Sequence, residues 1–269
     1  MSDTASLDDR EFGQFQSWLY RVAGINLSIA KKALVAGRLF KRLKHFELET
    51  YGEYFRLIMS DQNKGERQVA LDLLTTNETY FFREPKHFDF LRQQVLPKAA
   101  PGKVFRVWSA ASSSGEEPYS LAMTLAEHLG TTPWEVVGSD ISTQVLARAR
   151  TGHYPMERAG TLPTPLLTKY CLKGVGRQEG TFLIDKALRN RVNFVQVNLN
   201  ESLPELGEFE VIFLRNVMIY FDQKTKSQVV ARLLPRLKSG GYFIISHSES
   251  LHGVNDTLKL VAPSIYRKP

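Results

Sequence analysis

Three short stretches hold residues whose types and spacing could do chemistry. The first is "RVWSAASSSGEEPYS", Arg106 to Ser120, where an apolar run ends in small residues, one glycine and two acids. Small side chains let a ligand approach the backbone, as the glycines of a dinucleotide loop do, but the G-x-G-x-x-G pattern is missing. Glu116 and Glu117 would repel phosphate, so the ligand implied is small and phosphate-free, with hydroxyl and amino groups. The competing reading is a helix start, where glutamate complements the macrodipole. The second is "WEVVGSD", ending in Asp140, 25 positions after Gly115. A carboxylate at a strand end is placed to hold ribose hydroxyls, or else to cap the helix that begins in "ISTQVL". The third, "TTNETYFFRE" (Thr75 to Glu84), runs from hydrogen-bonding groups through aromatic bulk to charge.

The surrounding pattern says what positions these groups. Residues 1–95 read as helices: "EFGQFQSWLYRVAG" with a glycine C-cap, "KKALVAGRLFKRLKHF", "TYGEYFRLIMS" and "ERQVALDLLTT". From about Val104 apolar strands alternate with helices. "KVFRVWSA", "WEVVGSD", "VNFVQVN", "FEVIFLRN" and "GYFIISHS" are strands, and "VAPSIYR" is a last one. "EEPYSLAMTLAEHLG" closes at Gly130, "STQVLARAR" starts on a Ser142 N-cap, and "KTKSQVVARLLPRLKSGG" is bent or divided by Pro235. That alternation predicts an α/β fold with a mostly parallel, doubly wound sheet over residues 96–269. "GVGRQEGTFLIDKALRNRV" predicts a small antiparallel insertion at about 172–193. Ligands in such sheets bind beyond the carboxyl ends of the strands. S-adenosylmethionine, with adenosine, ammonium and sulfonium but no phosphate, fits both strand-end patterns.

Together "TTNETYFFRE", "RVWSAASSSGEEPYSLAM", "GSDIST" and "FLRNVMIYFD" resemble the CheR-type chemotaxis receptor methyltransferases, from about Phe12 to Tyr266. The resemblance implies a Rossmann-like S-adenosylmethionine-dependent domain with a small antiparallel β-subdomain, preceded by an all-α N-terminal domain. It implies methyl transfer to glutamate side chains of chemotaxis receptors, with S-adenosylhomocysteine as product. It places Asn77, Thr79 and Arg83 at the cofactor, Glu117 and Asp140 holding it, Asn198 and Leu199 around adenine, Arg215 and Asn216 at the next strand end, and Tyr220 near the transferred methyl. Arg83 and Tyr220 are the catalytic candidates. Each has a bland alternative: a helix terminus for the first motif, a buried amphipathic aromatic for Tyr220.

The chemistry asks for little more. A glutamate acceptor, with a reference pKa of about 4.3, is already ionised near neutrality and needs no general base. No Ser-His-Asp or Cys-His pattern stands out.

Composition narrows the partners. The formal charge of +7 suits an acidic partner, nucleic acid or protein. Lys31 to Lys44 holds six basic residues and no acid. A helical wheel puts Ala36, Leu39, Phe40 and Leu43 on one face and Lys31, Arg38 and Arg42 on the other. That stripe, with Arg38 and Arg42 as docking residues, could meet an acidic receptor helix, or be only a solvated face. A nucleic-acid methyltransferase is the first rival, but no N-P-P-Y or D-P-P-Y loop appears, and Cys171 lies in "KYCLK" rather than after proline. A non-catalytic docking module is the second. The six scattered histidines show no pair at ligand spacing, so no metal is expected. One cysteine, a polar N-terminus and no long apolar run predict a cytoplasmic protein without membrane insertion. In the insertion, Gly174, Gly176 and Gly180 predict a long reversal with positive backbone angles and an exposed edge. Family resemblance extends this to capture of a receptor's C-terminal pentapeptide.

Overall fold

The computed structural model describes residues 5–269. Four helices come first: α1 (Asp9–Ala23), α2 (Lys32–His45), α3 (Tyr51–Met59) and α4 (Lys64–Leu74). Their ends follow from local chemistry. Asp8 and Glu11 form a reciprocal capping box on α1, and Thr50 and Glu53 form another on α3. Gly24 ends α1 in the left-handed region at φ 71°, where a side chain would be strained. Phe12, Phe15, Trp18 and Leu19 of α1 are buried against Val35, Leu39 and Leu43 of α2 and Tyr54 and Ile58 of α3. The buried seam of α2 keeps the wheel's Leu39 and Leu43 but turns towards Val35. Val35 is inside, whereas Phe40 is half-buried with the Lys44 ammonium 4.6 Å from its ring centroid.

A linker leads to α5 (Pro85–Phe90), which continues through a π-helical turn, Leu91–Val95. The sheet then alternates with helices. Its members are β1 (Phe105–Ser109), α6 (Glu116–His128), β2 (Trp134–Asp140) and α7 (Thr143–Thr151). After the small sheet described below come β6 (Val192–Gln196), β7 (Phe209–Leu214), α10 (Gln223–Leu233), β8 (Leu237–Ile245), β9 (Lys259–Ala262) and β10 (Ile265–Arg267). Strand order is β6-β2-β1-β7-β8-β10-β9. The first five are mutually parallel, and β10 runs antiparallel to both neighbours. The order reverses between β1 and β7, which creates a crevice at their carboxyl ends.

Both faces of the sheet are covered, so the strands read as continuous apolar runs. Val107, Val136, Val211, Phe213 and Ile244 join α6 and α7 in one core; Trp108, Val137, Ile212, Leu214 and Phe243 join α10 in the other. Each fully buried side chain of this size stabilises the fold by roughly 1.5–3 kcal/mol.

Of the two readings of Pro235, division holds: α10 stops at Leu233 and Leu234–Arg236 is a 3₁₀ turn. Other sequence expectations are corrected. "VAPSIYR" forms the hairpin of β9 and β10 rather than one strand. The antiparallel insertion begins earlier than 172, with strands β3 (His153–Pro155), β4 (Cys171–Lys173) and β5 (Thr181–Ile184) in the order β3-β5-β4. α8 (Thr164–Tyr170) and the short α9 (Lys186–Arg189) flank it, while Val192 belongs to the main sheet. A three-residue strand such as β3 is too short to show alternation. In the β4–β5 loop Gly176 and Gly180 have positive φ, but Gly174 does not. Its constraint is steric, since a Cβ there would lie 1.9 Å from the Gln178 carbonyl oxygen.

Candidate active site

The crevice at the β1–β7 switch is roofed by the helical region, and the two enclose a cavity of about 510 Å³. The roof is anchored at several points. Ile25 bridges Phe221, and the Asn26 amide donates to the Tyr220 carbonyl at 2.8 Å. The Asn198 side chain donates to the Val22 carbonyl at 2.8 Å. From α4, the buried Asp72 carboxylate accepts from the backbone amides of Thr143 and Gln144 at 3.0 and 3.1 Å and from the Thr143 hydroxyl at 2.7 Å. It thereby supplies negative charge to the first turn of α7 from another part of the chain.

Asn77, Thr79, Arg83, Glu117, Asp140, Asn198, Leu199, Arg215, Asn216 and Tyr220 all line this one cavity, although they come from five separate stretches of sequence. Asp140 ends β2 and is buried. Its carboxylate accepts from the amides of Ser113 and Ser142, both at 2.9 Å. Burial pushes its pKa up, and those amides pull the other way. The capping reading and the ligand reading therefore coexist, because two amides leave part of the carboxylate's acceptor capacity free.

Glu117 accepts from the Ser109 hydroxyl at 2.7 Å and pairs with Arg215 at 3.1 Å. Burial raises its pKa, and the Arg215 charge opposes that rise. Arg215 is only 2% exposed; its other terminal nitrogen donates to the Arg83 carbonyl and lies 3.6 Å from Glu84. Among the described residues its Nε is one of four buried side-chain polar atoms without a partner. Asn216 takes a left-handed backbone at φ 57° and donates to the Ser246 hydroxyl at 2.8 Å. Ser113, on the same cavity wall, also has positive φ, as do Phe82 and Glu84 on either side of the wall residue Arg83. Such strain persists only where surroundings over-determine it.

The opening motif is pinned from both sides. Phe81 is fully buried, edge-on to Tyr154 at 5.2 Å and against Phe182 of the small sheet at 5.8 Å. Phe82 packs on Phe88 instead. The Arg158 guanidinium donates to the Thr79 carbonyl at 2.7 Å, and the Thr161 hydroxyl to the Phe81 carbonyl at 2.6 Å. Arg83 stays at the cavity wall, donating to the Glu78 carbonyl at 3.1 Å. Gly115 cannot be replaced freely: it has φ 96°, and a Cβ would lie 2.9 Å from that of Ala149.

The two docking arginines separate. Arg38 lines the cavity and donates to the carbonyls of Leu74 and Thr75, both at 3.0 Å. Arg42 does not reach the cavity. It forms a two-pronged pair with Glu66 at 2.7 and 2.6 Å, and Glu66 also accepts from the Tyr54 hydroxyl at 2.6 Å. The expectation of a free basic stripe is corrected at Arg42, because an acid on α4 already neutralises it. Lys31, Lys41 and Lys44 are the exposed cations of this stretch.

Sequence reasoning passed over Glu84, Glu249, Ser109 and Ser113. Glu249 is a half-buried clamp, accepting from the amides of Asn216, Met218 and Ser246 at 3.2, 2.8 and 2.9 Å, and so shapes the loop that presents Asn216 and Tyr220. Ser109 and Ser113 lay unassigned within the small-residue stretch and Glu84 closed the first motif, whereas Glu249 carried no local signal.

The donor set suits a phosphate-free nucleoside with a charged amino-acid tail: buried carboxylates for hydroxyls and an ammonium, and Arg83 for a carboxylate. Comparison with known proteins agrees. Residues 10–75 match the family model described as CheR methyltransferase, all-alpha domain, and residues 77–266 match CheR methyltransferase, SAM binding domain. The chain is 40% identical to a chemotaxis protein methyltransferase of Escherichia coli (strain K12), over 99% of this chain and 93% of that protein. It is 40% identical to chemotaxis protein methyltransferase 2 of Pseudomonas aeruginosa, over 95% and 92%. A chemotaxis protein methyltransferase of Borreliella burgdorferi is 38% identical over 93% and 91%.

Proposed function

The chain belongs to the CheR methyltransferase family, and on that premise we propose that its cavity transfers a methyl group from S-adenosylmethionine to glutamate side chains of chemotaxis receptors. The observation that carries this reading is the convergence of Arg83, Glu117, Asp140, Arg215, Asn216 and Tyr220 on one cavity at the sheet's switch point. When bound, the cofactor supplies a methyl group activated by its sulfonium.

The chain's own residues hold and orient. Asp140, fixed by two amides, accepts from ribose hydroxyls. Glu117, braced by Ser109 and Arg215, meets the ammonium, and Asn77 and Thr79 close the cavity from the linker. Asn198 and Leu199 border the adenine, with the Asn198 amide also tying the roof to the sheet. Arg83, beside the cofactor's own carboxylate, also steers the incoming glutamate carboxylate towards Tyr220 and Asn216. Alignment of this kind can contribute roughly 7–11 kcal/mol. Arg83 must hold the carboxylate lightly, since gripping the ground state as firmly as the transition state would add nothing to the rate.

No helix among the described residues is long and apolar enough to cross a membrane, and we place the protein in the cytoplasm, beside the cytoplasmic helices of its receptors. Exposed lysines of α2 are the docking cations, with Arg38 at the cavity wall. The β4 edge and the loop that follows it, where Leu172 is 56% and Val175 77% exposed, are the candidate surface for a receptor's C-terminal pentapeptide by strand addition. Offering labelled S-adenosylmethionine with receptor fragments, tRNA and DNA in parallel tests the reading: label should enter receptor alone. Label in nucleic acid would support the first rival, and none in any acceptor would leave a docking module.

A further inference from the structure

Beside the cofactor cavity, three side chains converge that the methyl-transfer chemistry does not use. Glu84, His87 and His247 offer ligand atoms that all lie within 4.8 Å of one another. The Glu84 Oε2 atom is 3.5 Å from His87 Nδ1 and 3.9 Å from His247 Nε2. His87 is fully buried, yet its Nδ1 has no hydrogen-bond partner. The remaining ring nitrogens, His87 Nε2 and His247 Nδ1, both meet the Ser264 hydroxyl, at 2.7 and 3.0 Å. Ser264 sits at φ 59° in the tight turn between β9 and β10, so the hydroxyl is held by strained backbone.

We propose that Glu84, His87 and His247 form a binding site for a divalent transition-metal ion of the zinc class. Two imidazoles and one carboxylate make a ligand set that zinc uses with a fourth position open. Metal–ligand bonds of about 2.0–2.2 Å in a tetrahedron separate ligand atoms by about 3.3–3.6 Å; the 3.5 Å pair meets that spacing and the 3.9 Å pair needs a small inward shift of the exposed His247 ring. Ser264 does what an outer partner of metal-bound histidine does: it engages the far nitrogen of each ring and fixes its orientation. His87 Nδ1, buried and without a hydrogen-bond partner, is the ring atom that faces Glu84 and is free for a metal. His247, whose side chain is 40% exposed, provides the path for entry. Arg215 opposes a cation from 3.6 Å beyond Glu84, and Glu117 offsets it from the other side.

The pattern is invisible in the sequence because His87 and His247 lie 160 positions apart, which revises the expectation of no metal. An ion here would tie the linker motif to the far strands of the sheet.

The test uses the full chain without a polyhistidine tag, stripped by chelator and titrated with Zn²⁺ by calorimetry and with Co²⁺ by visible absorption. The expected result is stoichiometric Zn²⁺ binding and Co²⁺ bands of a low-coordinate site. Ser264→Ala should weaken binding about 10–100-fold, and His247→Ala and Glu84→Gln by at least as much. His252→Ala, a surface control, should change nothing. Because His247 is partly exposed, its variant should fold; a normal circular dichroism spectrum checks that. Absence of Zn²⁺ binding, or binding that His247→Ala or Glu84→Gln leaves unchanged, would overturn the proposal.

Discussion

Arg42 and Arg215 are both arginines paired with carboxylates, and they show what separates scaffold from site. Arg42 meets one acid through two short bonds, and a tyrosine completes that acid's shell. Arg215 is more deeply buried, yet it divides itself between Glu117 at 3.1 Å and Glu84 at 3.6 Å and leaves a nitrogen unpartnered. A closed network gains nothing further from a ligand. An open one, buried beside a cavity, is under-satisfied until something else arrives. The same contrast holds for Asp72 and Asp140. The first is saturated by four donors from Gln68, Thr143 and Gln144; the second, on the cavity wall, has two amides within the distances given above.

Breaking the open network should cost most. Arg215→Met leaves Glu84 and Glu117 facing each other without a cation, and removing one partner of a buried ion pair typically costs about 3–5 kcal/mol. Urea unfolding should show that loss, and calorimetry should show no measurable S-adenosylhomocysteine affinity. Unchanged stability would mean the two acids are already protonated.

Asp140→Ala sharpens the contrast between cap and ligand. A hydrogen bond to a charged group contributes about 1.5–3 kcal/mol, so S-adenosylhomocysteine affinity should fall at least about tenfold while far-ultraviolet circular dichroism stays unchanged. Full affinity in the variant would reduce Asp140 to a cap for the Ser113 and Ser142 amides.

The closed network should respond in the opposite way. Arg42→Met strands Glu66 with Tyr54 alone and should lower stability by about 1–3 kcal/mol, with cofactor affinity and receptor methylation intact once the variant is folded. Slower methylation by a stable Arg42→Met protein would restore the docking role. Charge reversal at Arg38 and Arg42 together would not isolate docking, since a glutamate at 42 would confront Glu66.

His87 gives an effect whose size is set by pH. Its folded pKa of about 3 lies below the ordinary histidine value, so the unfolded chain binds the proton first. Stability is therefore lost as pH falls from about 6.5 towards 3, by up to about 1.4 kcal/mol per pH unit. The acids Glu116, Glu117, Asp140 and Glu249, whose pKa values burial raises, contribute with the opposite sign. His87→Gln keeps those acids, so the difference between wild type and variant isolates the histidine. The gap in unfolding free energy should narrow between pH 7 and pH 4.5, and parallel curves would contradict the assignment.

The contrast also explains what the sequence could reveal. Main-sheet strands were legible because burial on both faces makes them short apolar runs, and Gly24, Ser142 and Pro235 punctuate helices by local rules. Asp140 was legible because its place follows from a strand boundary, and Asn216 came from the family resemblance. Glu249, Asp72 and the pairing of Arg42 with Glu66 were not, because a wheel or a period reports a residue's face and never its partner. Strand β3 was missed for want of length. The family resemblance covered that gap for Arg215, whose burial no local pattern announces.

Mild base releases methanol from carboxyl methyl esters and leaves methylated amines and bases intact. The most direct measurement therefore incubates this protein with tritiated S-adenosylmethionine and a purified chemoreceptor cytoplasmic fragment, then treats the product with mild alkali. The label should be released as volatile methanol, and replacing the fragment's modified glutamates with alanine should abolish incorporation. Base-stable label, or incorporation that survives loss of those glutamates, would contradict glutamate methyl transfer.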